Sequence, residues 1–217
     1  MINQHSPFKL ILLIYVLLAF LFAGIYSLPI GHTESLSFMD AFFLSASAIS
    51  VTGLSTVNIS ESLTLFGQWV LLLEVQIGGI GIMVILGSFI ILFKQNLSLP
   101  QQTLMSLDQN QKSLKSIKNL VLFVFLFAFI VEFFGFLLFF PVIKETTPSM
   151  SYAAFLSLFH AVTSFTNSGF DLFGDSLHSF STNAQMVLGT AMLIFIGGLG
   201  FPLIYELLFS KGKKTND

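Results

Sequence analysis

Two short turns carry the residue types that could hold a bare cation. Ser50, Val51, Thr52 and Gly53 form one, and Thr166, Asn167, Ser168 and Gly169 form the other. A dehydrated cation must exchange its water for other oxygens, and backbone carbonyls supply them without burying a formal charge. The glycine closing each turn permits dihedrals that a side chain forbids, so the backbone can aim successive carbonyls at one axis. A short helix ahead of the turn would point the partial negative charge of its C-terminal end the same way. A single copy reads equally well as a tight turn between amphipathic pieces. Repetition with the same flanks argues for the ion-binding reading.

The flanks do repeat. Residues 38 to 54, FMDAFFLSASAISVTGL, align with residues 154 to 170, AFLSLFHAVTSFTNSGF, at a constant offset of 116. Further along, QIGGIGIM at 76 to 83 matches FIGGLGFP at 195 to 202 at an offset of 119, so three residues are gained between the two blocks. The glycines of the second block are Gly78, Gly79, Gly81, Gly197, Gly198 and Gly200. No strand-turn-helix unit surrounds them and their flanks are apolar on both sides, which excludes a nucleotide-binding loop. Small residues let helices and a neighbouring loop approach closely, so these six are read as packing seats for the turns. Repeats that each carry a glycine turn at membrane depth are a way to assemble an ion pathway around an axis.

The elements that must position the turns follow from hydropathy. Hydrophobic residues make up 54% of the chain and charged residues 9%, with mean hydropathy +0.87, against about 25% charged in a soluble domain. That is the composition of an integral membrane protein. Segments 8–30, 64–93, 119–143 and 184–209 each reach the ~20 residues a bilayer core requires. As one helix the second would extend ~45 Å, so it must tilt, bend or project. The first follows Lys9 as a signal peptide would. It continues without a small-residue cleavage pattern, however, and holds the place in its repeat that 119–143 holds in the other, which makes it a retained span. Segments 38–50 and 152–165 are too short to cross and are candidate re-entrant helices, leading into filter turns at 50–54 and 166–170. The expected fold is an all-α polytopic membrane protein of two parallel span, pore-loop, span repeats, 1–93 and 119–217, joined by a linker at 94–118.

Lysine placement orients these repeats. Lys9, Lys94, Lys112, Lys115, Lys118, Lys211, Lys213 and Lys214 fall at the termini or in the linker, whereas Lys144 lies on the other side with Glu34, Asp40, Glu61, Glu145, Asp171 and Asp175. By the positive-inside rule both termini and the linker are cytoplasmic, and both short helices enter from outside. The repeats are therefore parallel and not inverted. Within the linker, Leu104, Leu107, Leu114 and Ile117 stand among polar residues, the pattern of a membrane-surface helix. Glu74 and Glu132 lie inside spans, where a charge costs about 2.5–3.5 kcal/mol, so each must face protein or water; a packing role is favoured over an ion relay. His160 and His178 have no second ligand at metal-binding spacing. The absence of cysteine excludes disulfides and thiolate metal sites. No nucleophile is paired with a base, which argues against an enzyme.

The strings SAISVTGLS, QIGGIGIM, FHAVTSFTNSGFDLF and FIGGLGFP resemble the Trk/Ktr/HKT superfamily of potassium transporters, and most closely the membrane subunit of Ktr-type bacterial uptake systems. The resemblance implies four covalently joined repeats around one pseudo-fourfold pore, each donating one simplified filter strand. VTG at 51–53 and NSG at 167–169 fall on the first and second strands. In the family, glycine at these positions goes with potassium selectivity, and serine in the first goes with sodium permeation in some plant members. Gly53 and Gly169 thus lean toward potassium. Glu132, in IVEFFG, resembles a family position at a helix contact.

The expected function is potassium transport across the cell membrane, as the ion-translocating subunit or half-subunit of a Trk/Ktr-type system. Potassium is then the transported ion, no cofactor is bound, and sodium coupling is left open. Expected partners are the lipid bilayer and a cytoplasmic nucleotide-binding regulatory ring, with no nucleic acid. The chain carries two of the family's four repeats, ending at KGKKTND where the family links to its third; the gating loop of the third and the positive residue of the fourth have no counterpart. A separately encoded second half or a second copy would complete the pore. The alternatives are a homo-oligomeric cation channel and a non-conducting remnant or accessory subunit.

Overall fold

A computed structural model describes residues 7–33, 36–81 and 114–209, and among them the chain is helical with no strand. The order is α1 (Pro7–Tyr26), α2 (Phe38–Ile49), the one-turn α3 (Ile59–Ser62), α4 (Leu65–Ile80), α5 (Leu114–Thr146), α6 (Met150–Phe165), α7 (Ala184–Gly198) and α8 (Phe201–Phe209). A single 3-10 turn, His178–Phe180, lies between α6 and α7. Five helix starts rest on a side-chain oxygen, the one-turn α3 on Asn58, which accepts from Ser60. Ser37 accepts from the Asp40 N–H, Thr64 from Gly67, Ser149 from Tyr152 and Asn183 from Met186. Each supplies an acceptor to the first turn, whose N–H groups have none within the helix. Thr64 and Asn183 stand at the 119 offset, so one device starts the corresponding helix in both copies.

The two short segments end as the sequence indicates. Ser50 caps α2 and Thr166 caps α6. Two of the long segments are not single helices, and for 64–93 the break at its glycines is one of the bends its length called for. Segment 184–209 is α7 followed by α8, with Gly200 at φ +77 between them. In segment 64–93 the helix stops at Ile80, and Gly81 takes φ +92; residues 82–93 lie outside the described residues. A residue at such φ leaves the right-handed helix, and glycine does so at little cost. The boundaries of the other two shift. Segment 8–30 is helical only to Tyr26. Helix α5 begins at Leu114, so residues 114–118 are its first turns and not linker, while 94–113 lie outside the described residues. Among the described residues one helix, Val121–Thr146 with mean hydropathy 2.8, is by itself long and apolar enough to cross a bilayer.

Helices α1, α2 and α4 pack on one another, as do α5, α6 and α7, and α4 touches the second group through α5 and α6. Polarity is inverted relative to a protein in water. Phe129 and Phe134 on α5 are 74% and 64% exposed, whereas Ser45, Glu74, Ser157 and Ser168 are fully buried. Surrounding hydrocarbon demands this, because polar side chains can then find partners only inside. Along the boundary the Trp69 and Phe155 rings lie 4.6 Å apart, and the Tyr152 hydroxyl donates to Gln68 Oε1 at 3.4 Å. Gln76 Nε2 donates to Glu132 Oε1 at 2.7 Å, tying α4 to α5. Glu132 thus has the packing role expected of it.

Replacing Gln76 by Leu should leave the Glu132 carboxyl without this donor and cost about 1–3 kcal/mol. The measurement is the unfolding temperature of the detergent-solubilised protein, followed by the fluorescence of Trp69, the chain's one tryptophan. A lower midpoint is expected; an unchanged one would mean the bond does not hold the boundary.

Candidate functional site

Both turns have the same backbone. After α2, the N–H groups of Ser50, Val51 and Thr52 donate to the carbonyls of Ala46, Ala48 and Ser47. After α6, those of Thr166, Asn167 and Ser168 donate to Val162, Ser164 and Thr163, each partner displaced by 116. This is a complete Schellman ending, in which the residue after the cap must be left-handed and is usually glycine. Here Val51 and Asn167 occupy it, at φ 55 and 58. Asparagine tolerates that conformation, whereas a β-branched valine is an outlier there. Two residues on, Gly53 and Gly169 take φ 80 and 75. The chain then returns along its own helix. In the first unit the Leu54 N–H donates to Ser47 Oγ and Thr56 Oγ1 donates to Asp40 Oδ1 near the start of α2. In the second, Phe173 reaches back to stack edge-on against His160, with centroids 5.4 Å apart.

The first three N–H groups of each turn are thereby spent on helix carbonyls. Among the described residues no donor reaches the carbonyls of 50–53 or 166–169. A backbone that satisfies its donors and leaves its acceptors free can bind a cation and not an anion.

The six glycines divide by task. A Cβ on Gly78 would lie 2.5 Å from the Ile49 carbonyl oxygen, and one on Gly197 would lie 1.8 Å from that of Phe165. The final carbonyl of each short helix therefore rests on a glycine of the following long helix. Gly79 receives the Thr166 methyl from the other unit, and Gly198 faces the Asn167 amide. Gly81 and Gly200 instead carry the positive φ that ends their helices. The turns also meet each other: a Cβ on Gly53 would stand 1.9 Å from the Ser168 carbonyl oxygen, and one on Gly169 would stand 3.9 Å from the Gly53 Cα. A polar hollow of about 280 Å³ opens where they meet, lined by Gly53, Ser55, Asn58, Gly169, Asp171 and Ser176.

Three features of this site are not apparent from residue type. One is the left-handed valine. Another is the Asn167 side chain, which, with its amide oriented to satisfy both ends, donates to the Ile194 carbonyl and accepts from the Gly198 N–H, each at 3.1 Å. The last is Glu74, fully buried in α4, which accepts from the Tyr26 hydroxyl of α1 at 2.7 Å and from the Ser45 hydroxyl of α2. The signal for Glu74 was its carboxylate in a span; its donors are separated from it by 48 and 29 residues and could not be named. His160 has a partner on α7, Thr190 Oγ1 at 2.8 Å from its Nε2, and packs edge-on against Phe139.

The sequence matches the family described as TrkH, cation transport protein, over residues 5–217. It is 31% identical over 214 residues to the Ktr system potassium uptake protein B of Bacillus subtilis, covering 98% of this chain and 47% of that protein. It is 34% identical over 220 residues to the Ktr system potassium uptake protein D of the same organism, covering 99% and 49%. A third relative, the potassium/sodium uptake protein NtpJ of Enterococcus hirae, is 32% identical over 210 residues, covering 95% and 46%. The chain spans about half the length of these relatives. With a match along nearly all of its own residues, it is a membrane protein that belongs to the TrkH family of cation transport proteins.

Proposed function

We propose that this chain contributes two adjacent filter turns to a potassium-conducting pore, as half of the ion-translocating subunit of a Ktr-type uptake system. The observation that carries the reading is the pair of turns with matching dihedrals and uncommitted carbonyls, in contact at Gly53 and Ser168. Relatives named for potassium uptake, and one for potassium and sodium, support a monovalent cation as cargo. Each unit then acts as a span, a pore loop entered from outside, and a second span broken at its glycines. The ions contact Ser50 to Gly53 and Thr166 to Gly169. Two further turns come from a separately encoded half or a second copy, and a cytoplasmic nucleotide-binding ring regulates the assembly. Both termini are cytoplasmic. A non-conducting accessory role is the competing reading.

Expression in cells deficient in potassium uptake separates these readings. Growth at low potassium with this chain alone indicates a homo-oligomer, and growth only with a second half indicates a split subunit. No growth with either indicates the accessory role. In the conducting assembly Gly53→Ala should abolish uptake while leaving membrane insertion intact, because its Cβ meets a carbonyl. Gly169→Ala has room and bears only the left-handed strain, about 1–2 kcal/mol, so uptake should fall by about tenfold or less. Equal uptake by both variants and the parent would sink the assignment of the turns.

Because the chain has no cysteine, topology can be read with single introduced thiols. Ser181→Cys, in an exposed stretch before α7, should react with a membrane-impermeant maleimide in intact cells. Asn110→Cys, in the 94–118 segment, should react only after the membrane is opened. The reverse pattern would invert the orientation.

A further inference from the structure

Glu74 and Gly78 lie one helical turn apart on α4, and their partners Ser45 and Ile49 lie one turn apart on α2. Two contacts at that spacing fix both the height and the rotation of α2 over α4. The carboxylate's other oxygen holds Tyr26, which brings α1 into the same register. Immediately after Ser45 come Ala46, Ser47 and Ala48, whose carbonyls receive the three N–H bonds that shape the first turn. A shift of α2 therefore moves the acceptors that define the turn.

The second unit shows how specific this is. Ala161 and Leu193 stand at the positions of Ser45 and Glu74, and both close around Gly135, where a Cβ would be 3.0 and 2.6 Å from them. Conversely, the second unit's buried polar pair, His160 and Thr190, stands at the positions of Leu44 and Leu71, both fully buried in the first. Each unit thus locks its short helix with one polar pair, but at different places, and in the first alone the lock includes a carboxylate with two donors from two helices.

We propose that Glu74 is a positioning residue for the first turn, setting the placement of the Ser50 to Gly53 carbonyls through Ser45 and Tyr26 without touching the ion. This rests on the reading that the turns bind the transported cation. It goes beyond a packing role in making ion affinity, and not only the amount of folded protein, depend on the carboxylate.

The test uses chromosomal variants in the cell that makes this chain, with whatever completes its assembly in place. Uptake is measured against external potassium and against competing sodium, and protein in the membrane is quantified in parallel. Tyr26→Phe and Ser45→Ala each remove one donor, and each should raise half-saturating potassium by roughly three- to tenfold at near-parental maximal uptake per protein. Glu74→Gln should shift it too, and Ser45→Ala added to Glu74→Gln should add little, since Ser45 acts through the carboxylate. Gln76→Leu, which removes a buried hydrogen bond elsewhere on α4, should leave half-saturation and potassium preference unchanged. Unshifted half-saturation in the three single variants would overturn the proposal, as would an equal shift in Gln76→Leu. Deletion of the chain reports on the underlying reading: if potassium uptake is unaffected, that reading falls and takes the proposal with it.

Discussion

A polypeptide that reverses direction inside an apolar layer must satisfy every N–H from its own immediate neighbourhood, because no water competes for it. The rest of this structure depends on that constraint. The three carbonyls before the final one of α2 and of α6 absorb the donors of the following turn, which forces a left-handed residue directly after the cap. With the donors settled locally, the acceptors of the turn are released together. The turn is thus a polarised object, with its first three N–H groups held by the helix and its carbonyl oxygens without a donor among the described residues.

That arrangement requires close approach of backbone to backbone, and the long helices provide it. Gly78 and Gly197 admit the carbonyls of Ile49 and Phe165 at distances no side chain would allow. Depth and angle of the short helices are set where these glycines lie, and rotation is set by a polar pair one turn away in the first unit and about two turns along α7 in the second. Helix α4 has a double duty. It seats the first turn through Gly78, receives the methyl of the second through Gly79, and holds α5 through Gln76. Helix α4 thus touches the end of α2 and the second turn at adjacent glycines.

Much of this was legible in the sequence. The offsets of 116 and 119 located both turns and both glycine blocks, because internal comparison cancels the composition bias that makes apolar segments look alike. The short helices end at Ile49 and Phe165, against ends read at 50 and 165 from apolar length and the glycine turns. The break in 184–209 was not legible, although Gly200 was in view, and for 64–93 only the need for a tilt, bend or projection was read and not its place at Gly81. Hydropathy is blind to φ, and an apolar run reads as continuous across a residue that has left the helix. Pairings such as Glu74 with Tyr26 and Ser45 were hidden for another reason: a buried carboxylate announces its need for donors but not their distance along the chain. Nothing in the residue type explains Val51, since valine is among the least suited residues for φ 55.

The two units also differ in length, with eleven residues between α1 and α2 against three between α5 and α6. Helix α6 has one extra turn at its start relative to α2, and the further three residues fall between the turn and the long helix, where one unit builds α3 and the other the 3-10 turn. From the final turn of each short helix to its Gly53 or Gly169, no residue has been gained or lost. Divergence after duplication has therefore been free to edit the outer connections, while the stretch in which Gly53 abuts Ser168 has been inherited at fixed length. An insertion there would change the partner of every carbonyl downstream of it, and the two copies would no longer meet.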